Sequence, residues 1–358
     1  MSERGSSQSV PVHLVVPGAL DQRTGGYVYD RRMVEGLRAA GREVVVHELA
    51  GSFPFADEAA RRAAGAALRR MAKGGLPVID GLALPAFEKA LALLPRRWFA
   101  LVHHPLALET GLSAADAARL RALEGELLAP AARIIVTSPQ TRRDLEDYRV
   151  DPARVGVVLP GTEPADLARG SGGPGLALLC IASLTPRKGH LVLLEALAGL
   201  EDLDWRLVCV GSAERDPPTG RAVRAAIEAH ALGARVSLIG EQPEERLAPF
   251  YDAADLFVLA SHHEGYGMVL ADALAHGLAV VSTTAGAIPD TVPADAGLLV
   301  PPADPGALAR ALRRVITDRF LRVRLAKGAR ATRARLPSWT YAARAFAAEL
   351  DRVSASIP

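Results

Sequence analysis

Cysteine is almost absent from this sequence: 358 residues contain two, Cys180 and Cys209. Both lie inside apolar runs. They form no disulfide framework and no close pair with metal-ligand spacing, and they read as small core residues of a reducing compartment. An excess of charge of one sign is also lacking. The formal net charge is +2, which argues against a dedicated nucleic-acid surface, and no zinc-finger or other nucleic-acid motif occurs. No apolar run reaches membrane-spanning length, and residues 1–9 are polar without an apolar signal core, so a cytoplasmic protein is expected. Aromatics make up only 5% of the chain. What remains is a globular composition, 49% hydrophobic and 23% charged, long enough for two domains of ordinary size.

The most informative stretch runs over residues 256–284. A short apolar run at 256–260 reads as a buried parallel strand, followed by a polar turn at 261–267. A helix-period segment covers 268–276, Gly277 stops it, and a second apolar strand covers 279–282. In an open α/β sheet such a turn lies at the carboxyl end of its strand, where ligands bind. Gly265 and Gly267 let the backbone approach a ligand closely, and the helix start at Met268 and Val269 offers free N–H groups to an anion. Glu264 in the turn and Asp272 on the helix are acceptors suited to sugar or ribose hydroxyls. The plainer alternative is a solvated turn glutamate and a solvated helix aspartate.

The combination Ser261-x-x-Glu264-Gly265-Tyr266-Gly267, then Ala271-Asp272-Ala273-Leu274-Ala275-x-Gly277-x-x-Val280-Val281, resembles the donor-site signature of retaining glycosyltransferases of family 4. That resemblance implies the GT-B architecture: two Rossmann-like α/β domains with parallel sheets facing across a cleft, and a C-terminal helix crossing back. It also implies that Glu264 holds sugar hydroxyls, that N–H groups of Gly265, Tyr266 and Gly267 hold sugar and diphosphate, and that Asp272 holds the ribose. The family usually has glutamate at that last position, so this chain is one methylene short.

From the N-terminus, a strand at 12–16, a turn ending in Gly25-Gly26, a helix to Ala40 and a strand at 44–49 open a Rossmann-like domain. No Gly-x-Gly-x-x-Gly fingerprint is present, which disfavours a nicotinamide enzyme. The resemblance places Gly26 in a loop facing the donor phosphate. Residues 57–73 form an amphipathic helix, with Ala60, Ala63, Ala67 and Met71 on one face and Arg62, Arg69 and Lys73 opposite. The basic face is either solvated or a weak peripheral contact with anionic lipid. The next strand, at 98–102, ends in His103-His104-Pro105. The resemblance assigns His104 to the donor or transition state. Glu124 and Glu126 on the following helix read as surface charges. Further strands at 134–137 and 155–159 lead to a Gly/Pro/Ser-rich linker.

The second domain begins with an apolar strand at 176–182 and the turn 183–189, which carries Arg187, Lys188 and Gly189. A cationic pair at a strand-to-helix turn suits a diphosphate. In the family an arginine directly follows this strand and a lysine comes five positions later. Lys188 matches the lysine, Ser183 stands where the arginine is expected, and Arg187 is the candidate replacement. Strands at 205–210 and 236–239, a strand at 297–300, a helix start at Asp304-Pro305 and a helix at 339–353 complete the pattern.

The expected organisation is an acceptor-side domain over 1–165, a linker over 166–175, a nucleotide-sugar domain over 176–337, and a C-terminal helix region over 338–358. The expected activity is retaining, metal-independent transfer from a UDP-, GDP- or ADP-sugar to an unidentified acceptor, with no cofactor and no nucleic-acid partner. No Asp-x-Asp triad is read in the sequence, so no divalent cation is expected. The alternatives are another GT-B enzyme, such as a nucleotide-sugar epimerase or a phosphorylase, and a non-catalytic nucleotide-sugar sensor.

Overall fold

The computed structural model describes residues 10–95 and 97–354, so the polar segment 1–9 read above lies outside the described residues. The chain divides into two compact units. One comprises 1–108, 112–161 and 339–358, and the other 109–111 and 162–338.

The first unit runs β1 (Val12–Pro17), α1 (Gly25–Ala39), β2 (Val44–Leu49), α2 (Glu58–Met71), β3 (Leu76–Asp80), β4 (Phe99–Val102), α3 (Ala114–Leu128), β5 (Arg133–Val136), α4 (Pro139–Asp144) and β6 (Val155–Val157). Its sheet has the order β2-β1-β3-β4-β5-β6, with every pair parallel. Strand β3 escapes a periodicity reading because Leu76-Pro77-Val78-Ile79-Asp80 carries a proline. It nevertheless sits between β1 and β4, buried throughout. The direction of strand addition reverses between β1 and β3, which makes that edge the switch point where α/β sheets bind ligands.

Of two readings of surface charge in this unit, that of helix α2 agrees with the structure and that of Glu124 does not. Helix α2 buries Ala60, Ala64, Ala67, Leu68 and Met71 in the core, leaving Arg62, Arg69 and Lys73 outside. Its apolar face is therefore already occupied by the protein. Glu124 is fully buried rather than a surface charge, because its Oε2 accepts the N–H of Leu106 at 3.0 Å and thereby holds the segment after β4 against α3. Burial pushes the Glu124 carboxyl up to about 8, against the opposing pull of that hydrogen bond.

The second unit runs β7 (Leu176–Ile181), α5 (His190–Ala198), β8 (Trp205–Val210), α6 (Pro217–Ala229), β9 (Val236–Gly240), α7 (Ala248–Asp252), β10 (Leu256–Leu259), α8 (Met268–Ala275), β11 (Ala279–Thr283), α9 (Ile288–Thr291), β12 (Gly297–Val300), α10 (Pro305–Thr317) and α11 (Arg319–Arg333). Its sheet order is β12-β11-β10-β7-β8-β9, again all parallel. Helices cover both faces, and for that reason β10 and β11 are apolar without alternation and wholly buried. Here the order reverses between β7 and β10. The turns after those two strands are the ones singled out by the sequence.

The last helix, α12 (Trp339–Ser354), belongs to the first unit. Ala342, Ala343, Phe346 and Leu350 pack with Met33, Val34 and Leu37 of α1. A Cβ at Gly36 would collide with that of Ala343, so the small residues on both sides set the close approach of the two helices. No helix among the described residues is long and apolar enough to cross a membrane.

Candidate active site

In the second unit, the turns 183–189 and 261–267 meet at the switch point of the sheet. Each is fixed by its own hydrogen bonds. The hydroxyl of Thr283 donates to the Ser261 carbonyl at 2.6 Å, and that of Thr291 donates to the Tyr266 carbonyl at 2.6 Å. The N–H of Ala287 donates to the Glu264 carbonyl at 2.8 Å, and the N–H of His262 to the Arg187 carbonyl at 2.7 Å. Two glycines make the approach possible. Gly189, at φ +66°, would press a Cβ onto the Ala260 carbonyl, and Gly286, at φ +58°, would press one onto the Glu264 backbone.

Glu264 is the centre of this arrangement and is 5% exposed. Its Oε1 accepts from Lys188 Nζ at 2.6 Å and from the Ser261 hydroxyl at 2.6 Å. Its Oε2 lies 3.5 Å from Arg187 Nη1, which also donates to the His263 carbonyl at 3.0 Å. On its other side, Arg187 Nε lies 3.3 Å from Glu109, one of three residues that leave the first unit's stretch of sequence to join this one.

Burial alone pushes the Glu264 carboxyl up. The Lys188 and Arg187 charges and the hydrogen bonds from Lys188 and Ser261 overcome it and hold the group at about 2. Lys188 itself is drawn below the usual ammonium value by burial and by Arg187, against the attraction of Glu264. The carboxylate is ionised, since two hydrogen-bond donors and a neighbouring guanidinium converge on it.

The remaining residues of the signature surround this core. Gly267, at φ +84°, caps α8, so the first-turn N–H groups at Met268 and Val269 have no partner within the helix and point beyond its start. Asp272 is half-buried on α8, and its charge reaches Tyr266, whose hydroxyl is pushed to about 12 by burial first and Asp272 second. Ser183 is half-buried in the neighbouring turn, its carbonyl accepting the Thr185 N–H at 2.9 Å. Arg187, four residues further on, is the guanidinium that reaches the cluster.

In the first unit, the switch point gathers a cluster that motif reading passed over. His103 Nε2 lies 3.1 Å from Asp30 and 3.5 Å from Asp80, both carboxylates being buried. A Cβ on Gly26 would come within 3.2 Å of the His103 ring, so the glycine pair admits this imidazole. Burial pushes the imidazole down, but the Asp30 and Asp80 carboxylates outweigh it and raise His103 to about 10. His104, the histidine matched by resemblance, is half-buried elsewhere, with its charge acting on Asp144 of α4. Of the adjacent pair, it is His103 that sits beside Gly26. The alternation of a β-strand, continued one residue past β4, separates the two rings in this way.

One Asp-x-Asp triplet does occur, at Asp202-Leu203-Asp204. It precedes β8 at the amino end of the sheet, where Asp202 forms an exposed ion pair with Arg313. It therefore takes no part in the switch-point cluster. Among the described residues, two groups have metal-ligand composition: Asp30, Asp80 and His103, and Cys180, His190 and Cys209.

Residues 175–318 match the family model for group 1 glycosyl transferases, a span that contains both turns of the second unit's cluster. The matched segment carries Lys188, Arg187, Glu264 and Asp272, while the His103 cluster lies outside it. Among curated proteins, the chain is 35% identical to the D-inositol 3-phosphate glycosyltransferase of Xylanimonas cellulosilytica, over 63% of this chain and 58% of that protein. It is 32% identical to the enzyme of the same name from Acidothermus cellulolyticus, over 58% of this chain and 50% of that protein. The chain thus spans about half the length of the curated relatives it matches. Among solved structures, sucrose-phosphate synthase of Thermosynechococcus elongatus superposes with a TM-score of 0.83 at 23% identity, covering 97% of this chain and all of that one. HepE of Anabaena, solved with UDP-glucose, gives 0.77 at 16% identity, over 96% of this chain and all of that one. At these identities the structures establish the fold, which is GT-B.

Proposed function

We propose that this protein transfers a glycosyl group from a nucleotide-diphosphate sugar to an acceptor, with retention of configuration and without a divalent cation on the diphosphate. The observation that carries the reading is the convergence of Lys188 and Arg187 on buried Glu264, next to the open start of α8, at the switch point of a parallel sheet. As the sugar–phosphate bond breaks, negative charge grows on the departing diphosphate. Two fixed cations and a helix N-terminus are suited to receive it without rearrangement. Oxygens of Glu264 that are already oriented by Lys188 and Ser261 accept from sugar hydroxyls, and Asp272 accepts from the ribose. In the first unit, His103, kept protonated by Asp30 and Asp80, is a donor available to a ligand beside Gly26.

A carboxylate held at about 2 is a weak base and therefore a poor nucleophile. This supports attack on the same face the leaving group departs from, rather than a glycosyl-enzyme intermediate on Glu264. The UDP-glucose bound to HepE supports a nucleotide sugar as donor, and the curated relatives' name makes an inositol phosphate the first acceptor to try. Two buried cysteines without a disulfide suit the cytoplasm.

The test is a nucleotide-release assay over UDP-, GDP- and ADP-sugars, with and without inositol phosphates, in buffer containing EDTA. Slow release without acceptor and faster release with one is the expected result. Tight donor binding with no turnover for any pair would leave only the sensor reading.

A further inference from the structure

Just below the turn that carries Arg187 and Lys188 lies a second cluster that the proposed transfer does not use. Cys180 on β7 and Cys209 on β8 are register partners on adjacent parallel strands, so their side chains project to the same face. His190, the first residue of α5, lies over that face. All three are buried, at 1%, 3% and 3% exposure. Their ligand atoms all lie within 4.8 Å of one another, and Cys180 Sγ is 3.8 Å from His190 Nε2. Among the described residues, His190 Nε2 contacts Cys180 Sγ, and its Nδ1 has no hydrogen-bond partner.

We propose that Cys180, Cys209 and His190 bind a zinc ion that ties β7, β8 and the start of α5 together. Zinc–sulfur and zinc–nitrogen bonds of about 2.3 and 2.0–2.1 Å at a tetrahedral angle hold S and N about 3.6 Å apart. The observed 3.8 Å needs almost no movement to reach that value. Two thiolates and an imidazole are a soft set that selects zinc over magnesium or calcium, and they leave one position for a non-protein ligand. Binding releases the two thiol protons to solvent, with no change of oxidation state. The ligands are 10 and 29 residues from Cys180 along the chain, which is why no spacing motif announces them. The role is structural. Because His190 follows Lys188 and Gly189 directly, the ion would pin the end of the cation-bearing turn, and no step of the transfer passes through it.

The full chain, purified under reducing conditions without chelator, is expected to carry about one zinc per molecule by mass spectrometry of its metals. Titration of the reduced, metal-free chain with Co2+ alone is expected to give a thiolate-to-cobalt charge-transfer band. Cys209→Ala and His190→Ala should each weaken or abolish that band. The wild-type titration stands on its own even if a variant fails to fold. A folded, reduced chain that holds no zinc and gives no such band overturns the proposal. So does an intact mass showing Cys180 and Cys209 joined, lighter by the two thiol hydrogens.

Discussion

The two units place opposite charges at equivalent points of similar sheets. In the second, an anion is held by cations: Glu264 between Lys188 and Arg187, after β7 and β10. In the first, a cation is held by anions: His103 between Asp30 and Asp80, after β1, β3 and β4. Both clusters sit where the direction of strand addition reverses, and in each the carboxylates at the centre are buried. The difference lies in what each leaves for a ligand. The second unit offers two cationic side chains beside a helix start, which suits a diphosphate. The first offers one protonated imidazole beside Gly26 and two carboxylates that are already engaged. The same sheet geometry is thus turned to different chemistry by a few turn residues, which is how one fold carries unrelated sites.

The sharpest way to break this comparison is to remove the central group of each cluster. Glu264→Ala leaves Lys188 buried without its carboxylate, and breaking a buried pair in that way costs about 3–5 kcal/mol. Thermal unfolding should show the loss. The milder Glu264→Gln should fold and lose turnover far more than nucleotide binding, and equal loss of both would contradict its sugar role. His103→Ala leaves two buried carboxylates side by side where a partly exposed imidazole stood. Its expected cost is smaller, about 1.5–3 kcal/mol, again read by thermal unfolding. If both variants were neutral, neither cluster would be holding its unit together.

Lys188→Ala tests donor binding, with its unfolding read alongside. Losing one charged hydrogen bond to the diphosphate should weaken donor affinity by about 1.5–3 kcal/mol, roughly 10- to 150-fold, in a direct binding assay. Unchanged affinity would take Lys188 out of the site.

The smallest effects are in pH, and they run in opposite senses. Glu264 is held at about 2, below the usual 4.5, so its stabilisation is complete above that range and is lost as pH falls from about 4.5 through 2. His103 is raised from 6.5 to about 10, so its stabilisation is complete below 6.5 and is lost as pH rises through about 10. Glu264→Gln should flatten only the acid limb of a stability–pH profile, and His103→Gln only the alkaline limb. A variant that flattened the other limb would show that the charges had been assigned to the wrong groups.

How much of this was legible in the sequence depends on the distance between partners along the chain. The strand–turn–helix over 256–276 was readable because apolar run, glycines and acidic residues are contiguous there. The cation turn at 183–189 was readable for the same reason. What joins them was not: Lys188 and Glu264 are 76 residues apart, and only the sheet order brings them together. His103 and Asp30 are 73 apart, and their choice over His104 follows from which ring projects toward Gly26. Glu109 lies in a loop of the first unit's sequence yet ion-pairs with Arg187. Glu124 looked like a surface charge because its helix has little amphipathic pattern, and its burial follows from a backbone N–H at Leu106 that no periodicity reveals. Strand β3 was hidden by its proline.

The central claim is that the Lys188–Arg187–Glu264 cluster grips a diphosphate. Calorimetric titration of UDP, GDP and ADP into the wild-type chain and into Lys188→Ala tests it most directly. The account predicts that at least one nucleotide binds the wild type, and that its affinity falls roughly 10- to 150-fold in the variant while unfolding remains cooperative. Binding of equal strength in both proteins would contradict it, as would no binding of any diphosphate by the wild type.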